Sequence, residues 1–140
     1  MNMILPIDAE VLIPHRLPMR IIDRLLEING KDGVVQAFVA ADCSLVSADG
    51  WLEDVAFIEL LAQAYATVKG YCDLLEDKPV KQGFLVGIKK VERLLSAKSG
   101  DRLKINVNTL VELGAFAVAE GEVWRDGELL AWGEIKVWVH

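Results

Sequence analysis

Residues 52 to 75 run in a helical pattern, and their stretch Val55-Ala56-Phe57-Ile58-Glu59-Leu60-Leu61-Ala62-Gln63-Ala64-Tyr65-Ala66 is apolar on nearly every side. A helix of that kind has to be enclosed by the rest of its own domain. The chain has 140 residues, 53% of them hydrophobic, which is material for one compact domain with a substantial core and not for two. The spacing predicts a helix from about Leu52 to Leu75. Glu53 and Asp54 favour the positive end of its dipole, and Glu76-Asp77-Lys78-Pro79 ends it.

The remainder is patterned mostly as strands. Residues 5 to 13 are expected to form a short helix, after which Pro14 and Pro18 impose an extended stretch around His15-Arg16. Val34 to Val39 is a strand candidate between Asp32-Gly33 and the polar run Asp42 to Gly50. Beyond the helix, Gly83 to Val91 forms a strand, and Leu103, Ile105 and Val107 alternate with Lys104, Asn106 and Asn108 in a period of two. Gly114 marks a turn. Ala115 to Trp124 and Leu129 to Val139 then flank Arg125-Asp126-Gly127-Glu128, whose Asp-Gly pair signals a hairpin. This order implies an α+β domain in which an antiparallel sheet curls around a long central helix.

The net charge of −6 argues against duplex nucleic acid as a partner. Residues 80 to 105 nonetheless carry seven basic side chains against two acidic ones, and the stripe Lys89, Lys90, Arg93, Lys98 and Arg102 is a dock for an acidic protein or a solvated face. Cys43 and Cys72 make no disulfide scaffold and have no metal-ligand spacing, and the two histidines, His15 and His140, complete no zinc site. No metal or cofactor is expected. The N-terminal segment is broken by Asp8, Glu10, His15 and Arg16. It has no basic leader and no run near the ~18 apolar residues of a membrane span, so a cytoplasmic protein is expected.

Glu59 is the residue most in need of a reason. Taking an ionised carboxyl out of water costs several kcal/mol, so such a group is paired, protonated or working on a ligand. Arg16, Arg20 and Arg24 are the pairing candidates. Gln63 lies one turn further along the same face, and the two polar heads project together.

Three stretches then carry a likeness. Pro14-His15-Arg16-x-Pro18 with Asp23-Arg24, then Glu59-Leu60-Leu61-Ala62-Gln63-Ala64, then Gly87-Ile88 with Gly100-Asp101 resemble, in the same order, landmarks of the hotdog fold and within it the β-hydroxyacyl-acyl-carrier-protein dehydratases of fatty acid synthesis. In that family the helix Glu works with a loop His across a dimer interface. Here Leu45 stands fourteen residues before Glu59, where that His would be, and Asp54 replaces a helix-start Gly. The chain is closer to a divergent branch of hotdog dehydratases found beside specialised lipid and aryl-polyene pathways.

The resemblance implies a 3-hydroxyacyl-acyl-carrier-protein dehydratase. Glu59 would be the general acid and His15 the provisional base. The first-turn amides of Val55 and Ala56 would receive the thioester oxygen, or else be capped by Asp49 or water. Gln63 would orient Glu59 or a substrate hydroxyl, or bond to backbone. Phe84 and Gly87 are placed with the substrate, whereas Trp51, Phe57 and Tyr65 are core, interface or tunnel residues. An acyl carrier protein thioester is the implied substrate, and the subunit pairs through its sheet edges with itself or with another hotdog chain. Two further readings stay open: a hotdog acyl thioesterase using Glu59 to activate water, and a non-catalytic subunit partnering an active dehydratase.

Overall fold

The computed structural model describes residues 4–139, so His140 lies outside the described residues. Its elements are β1 (Ile7–Asp8), α1 (Ala9–Leu12), β2 (Arg24–Asn29), β3 (Asp32–Phe38), α2 (Asp54–Leu75), β4 (Gly83–Arg93), β5 (Arg102–Leu113), β6 (Phe116–Arg125) and β7 (Glu128–Val139). The seven strands form one curved antiparallel sheet in the order β1-β2-β3-β5-β6-β7-β4, and α2 lies in its concave face. This is the α+β hotdog architecture expected from the helix-then-strands order.

The core forms where the helix and the inward strand positions meet. Phe57, Leu61, Ala64 and Val68 of α2 are buried against Val35, Ile105, Ala119 and Ile135 from four strands. Contact is close enough that a Cβ at Gly121 would stand 2.6 Å from Leu61 Cδ2 and 3.0 Å from the Asn106 carbonyl oxygen. Helix α1 approaches α2 more tightly still. Any Cβ at Gly70 would overlap the Leu12 carbonyl oxygen, so this glycine sets where the N-terminal segment crosses the helix.

The hairpin signal at Asp126-Gly127 is realised, with φ of 48° and 80° at the two positions, as a primed turn requires. Two expectations change. Residues 5 to 13 form only the short strand β1 and a single turn of helix, because Ile7 and Asp8 pair with Leu25 and Arg24 and take the extended conformation. Strand β2 was not anticipated. A register shift between Leu25 and Glu27 breaks its period of two, which removes the alternation that marks a strand in sequence.

No described helix is long and apolar enough to cross a membrane.

Candidate active site

The N-terminal half of α2, the loop before it and the strap from Leu17 to Ile21 converge on Glu59. The loop closes on itself and on the segment after β4: Val46 and Leu52 form an isolated bridge, and Leu52 N–H donates to Ala97 O at 2.8 Å. Leu45, in the position of the absent His, turns a half-buried side chain onto the core and accepts the Glu53 N–H at its carbonyl at 2.9 Å. Glu53 is the N-cap without a side-chain cap bond. Ala56 N–H is already engaged with Glu53 O at 3.0 Å, which leaves the Val55 amide as the one of the two named amides with no acceptor among the described residues. Asp49 does not cap the helix; it accepts from the Ser47 hydroxyl.

Glu59 is half-buried, and among the described residues it has no ion pair. The three candidate arginines are committed elsewhere: Arg16 and Arg20 to Glu10 at 3.4 and 3.7 Å, and Arg24 to Asp8 at 3.7 Å. The Glu59 carboxyl instead accepts at Oε1 from Gln63 Nε2 at 2.8 Å. Gln63 is 1% exposed and also binds the strap, accepting the Ile21 N–H at Oε1 and donating to the Met19 carbonyl through Nε2, both at 2.9 Å. A buried amide tolerates its desolvation only when its polar atoms are bonded, and here they are.

His15 lies on the same N-terminal segment, half-buried, with its Nδ1 buried and without a hydrogen-bond partner among the described residues. No hydrogen bond joins it to Glu59 among the described residues. Phe84 and Gly87 stand further off, on β4 at the end of the sheet opposite β1. Phe84 pairs with Trp138 and Gly87 with Lys136.

A cavity of about 260 Å³ is lined by Ile21, whose N–H binds Gln63, and by Leu60 of α2, while neither Glu59 nor Gln63 is among its lining residues. Its walls are mostly apolar, from Pro18 and Ile21 of the strap, Ala37 and Val39 at the end of β3, and Leu52 and Leu60. Arg20, Asp23 and Cys43 also line it, a role not foreseen for any of them. Asp23 accepts the Phe38 N–H at 2.7 Å, whereas Arg20 Nε is buried without a hydrogen-bond partner among the described residues. Only the prolines around the strap hinted in sequence that this segment is held in one shape.

A second cavity of about 480 Å³ lies toward the far end of α2, among Lys31, Tyr65, Lys69, Asp73 and Glu112. Tyr65 is 2% exposed, and its hydroxyl has no hydrogen-bond partner among the described residues. Burial pushes its phenol well above the ordinary range, and the Glu112 and Asp73 carboxylates add to the effect. Both cysteines are free thiols. Cys72 donates to Gly30 O at 3.4 Å, and burial raises its pKa.

The basic stripe does not form one face. Lys89 pairs with Glu134 at 3.3 Å, Lys90 lies 4.7 Å over the Trp132 ring, and Arg93 turns back to Asp54 at the start of α2. Lys98 and Arg102 are exposed and without ion pairs among the described residues.

A curled antiparallel sheet around one long helix defines a hotdog-fold protein. The chain belongs to the ApeP-like dehydratase family: the family model, described as ApeP dehydratase, matches residues 7–140. Among curated relatives, the 3-hydroxyacyl-[acyl-carrier-protein] dehydratase FabZ of Geobacillus sp. (strain WCH70) is 31% identical over 135 residues, covering 91% of this chain and 90% of the relative. The FabZ of a Nitratiruptor species is 24% identical over 142 residues, 95% of each chain. Among solved structures, the dehydratase heterocomplex ApeI:P from Xenorhabdus doucetiae superposes with a TM-score of 0.89 at 23% identity, covering 94% of this chain and 90% of that one. A hypothetical thioesterase with coenzyme A from Streptococcus pneumoniae TIGR4 gives 0.65 at 14%, over 83% and 84%.

Proposed function

We propose that this chain acts in the dehydration of a 3-hydroxyacyl thioester carried on an acyl carrier protein, with Glu59 as the proton donor. The observation that carries the reading is a half-buried carboxyl with no ion pair among the described residues, held by Gln63, which also binds the strap that walls an apolar cavity. A carboxyl in that setting is suited to give its proton to a departing hydroxyl. In the reaction a base removes the α proton, and the developing enolate oxygen is received by the Val55 amide. The β C–O bond then breaks as Glu59 protonates the oxygen, and water leaves with the bonding pair. The elimination is redox-neutral and is written with protein groups alone.

His15 is the base this chain offers, since its buried Nδ1 is not consumed by a structural hydrogen bond. A second reading is favoured by Leu45. With no His in the loop, the base comes from a second hotdog subunit, and this chain supplies the acid or only shapes the acyl site. The solved heterocomplex among its neighbours supports pairing of that kind. Strand β4 is the edge for it, because its outer backbone groups pair with no strand among the described residues and Leu85, Val86 and Ile88 are exposed. The test is turnover of a 3-hydroxyacyl carrier-protein thioester by the chain alone and with any hotdog chain that co-purifies. Enoyl product from the chain alone that is lost in His15→Ala supports the internal base. Product only with the second chain supports the shared site, and thiol release without enoyl product identifies a thioesterase.

A further inference from the structure

The end of α2 away from Glu59 holds two buried polar groups that the proposed reaction does not use. Tyr65 and Asp73 are each 2% exposed, and the Tyr65 hydroxyl and Asp73 Oδ2 have no hydrogen-bond partner among the described residues. Native folds leave few such atoms, because each keeps the full cost of its desolvation. Both residues line the cavity of about 480 Å³ between α2, the β2–β3 turn and β5, which shares no lining residue with the 260 Å³ cavity. Asp73 lies fourteen residues beyond Glu59, about 21 Å along the helix axis.

The two atoms differ in what they lack. Lys69 and Lys81 approach Asp73 at Oδ1, at 3.3 and 3.8 Å, so Oδ2 is a carboxylate oxygen with capacity to accept and none to donate. Its missing partner is a donor, and a positively charged donor makes the stronger bond. The other lining lysines do not supply it, since Lys31 is held by Glu112 at 2.6 Å and Lys78 by Glu76 at 2.7 Å. A metal ion is a poor match, because no three His, Cys, Asp or Glu residues among the described ones are grouped to hold it. The Tyr65 hydroxyl is neutral and can donate or accept. Burial raises its pKa and the Glu112 and Asp73 carboxylates add to this, so an anionic group is repelled there and a neutral oxygen is not. Val68 and Leu75 give the same cavity an apolar side.

We propose that this cavity binds a short-chain amino alcohol, with its ammonium donating to Asp73 Oδ2, its hydroxyl paired with the Tyr65 hydroxyl, and its carbons against Val68 and Leu75. Charge then meets charge at one orphaned atom, and a neutral group meets a neutral group at the other. The site does not rest on the dehydratase reading and uses none of its residues, so either can fail without the other.

The test is titration of the isotope-labelled full chain, at physiological salt, with amino alcohols from aminoethanol to aminohexanol, followed by nuclear magnetic resonance. The alkylamine and the diol of the best-bound length are the controls. The amino alcohol gives saturable shifts at Tyr65, Asp73 and their cavity neighbours Lys31 and Thr109, and leaves Glu59 and Gln63 in place. The diol, without the charge, binds at least about tenfold more weakly, and the amine, without the hydroxyl, about fivefold more weakly, the sizes of a charged and a neutral hydrogen bond. Tyr65→Phe removes the advantage of the amino alcohol over the amine while both still bind, a result that loss of the fold does not produce. Asp73→Asn removes the binding of both. No saturable binding across the series, or shifts spread over exposed carboxylates, overturns the proposal. Equal binding of the diol overturns the ammonium contact, and an undiminished preference for the amino alcohol in Tyr65→Phe overturns the hydroxyl contact.

Discussion

Gln63 donates to Glu59 Oε1 at 2.8 Å from one helical turn further along α2, and the same amide grips Met19 and Ile21 on a segment more than forty residues away in sequence. The carboxyl and the strap that walls the cavity between β3 and the loop are therefore joined through one side chain. Glu59 is held by a neutral donor and not by a cation, so the contact restrains it without setting an opposite charge beside it.

The crossing of α1 over α2 gives the first prediction. Alanine is normally the better helix former by about 1 kcal/mol, yet Gly70→Ala puts its Cβ into the Leu12 carbonyl, where backbone and not a flexible side chain must move. Urea denaturation of the variant should show a loss of about 1–3 kcal/mol. A gain in stability would mean that the two helices sit further apart.

Tyr65 supplies a second. Its hydroxyl is buried without a hydrogen-bond partner among the described residues, so Tyr65→Phe should leave stability unchanged or raise it by up to about 1 kcal/mol, and a clear loss in thermal denaturation would contradict this. The raised phenol pKa carries a linked pH dependence. The folded state holds the proton more tightly than the unfolded chain does, so this contribution is complete below about pH 10, the ordinary tyrosine value, and is lost as pH rises above it. Ultraviolet titration of phenolate should show one tyrosine that ionises only as the protein unfolds, and Tyr65→Phe should remove that signal.

Much of the architecture was legible in the sequence. Helix α2 and the β6–β7 hairpin follow from an unbroken apolar helical run and an Asp-Gly turn, and both appear within a few residues of the expected bounds. Strand β2 was hidden because its bulge destroys the alternation, although Asn29-Gly30 does turn the chain into β3, with Gly30 at φ 60°. In the site, the Glu59–Gln63 pair was readable from i, i+4 spacing alone. The other two bonds of Gln63 and the cavity walls at Arg20, Asp23 and Cys43 come from tertiary folding and leave no local periodicity. The first-turn amides show the same limit, since the turn bond to Glu53 that occupies Ala56 depends on how the loop delivers the chain into the helix.

The scattered basic residues narrow the search for a carrier-protein dock. Lys98 and Arg102 are the members of the stripe without an ion pair among the described residues, whereas Lys89 is held by Glu134 and Arg93 by Asp54. Charge reversal at both Lys98 and Arg102 should raise KM for a carrier-linked substrate several-fold and flatten its dependence on salt. Little effect on a small thioester lacking the carrier is expected. Equal losses on both substrates would show that these residues act on the fold and not on docking.

The central claim is that the Glu59 carboxyl donates the proton that releases water. Its most direct test is enoyl formation from a 3-hydroxyacyl carrier-protein thioester, followed by mass and ultraviolet absorbance, comparing wild type with Glu59→Gln in the presence of any co-purifying hotdog chain. The account predicts that Glu59→Gln folds as wild type does and loses turnover by at least about a hundredfold, the scale of general acid catalysis. Wild-type rates from a folded Glu59→Gln protein would contradict it.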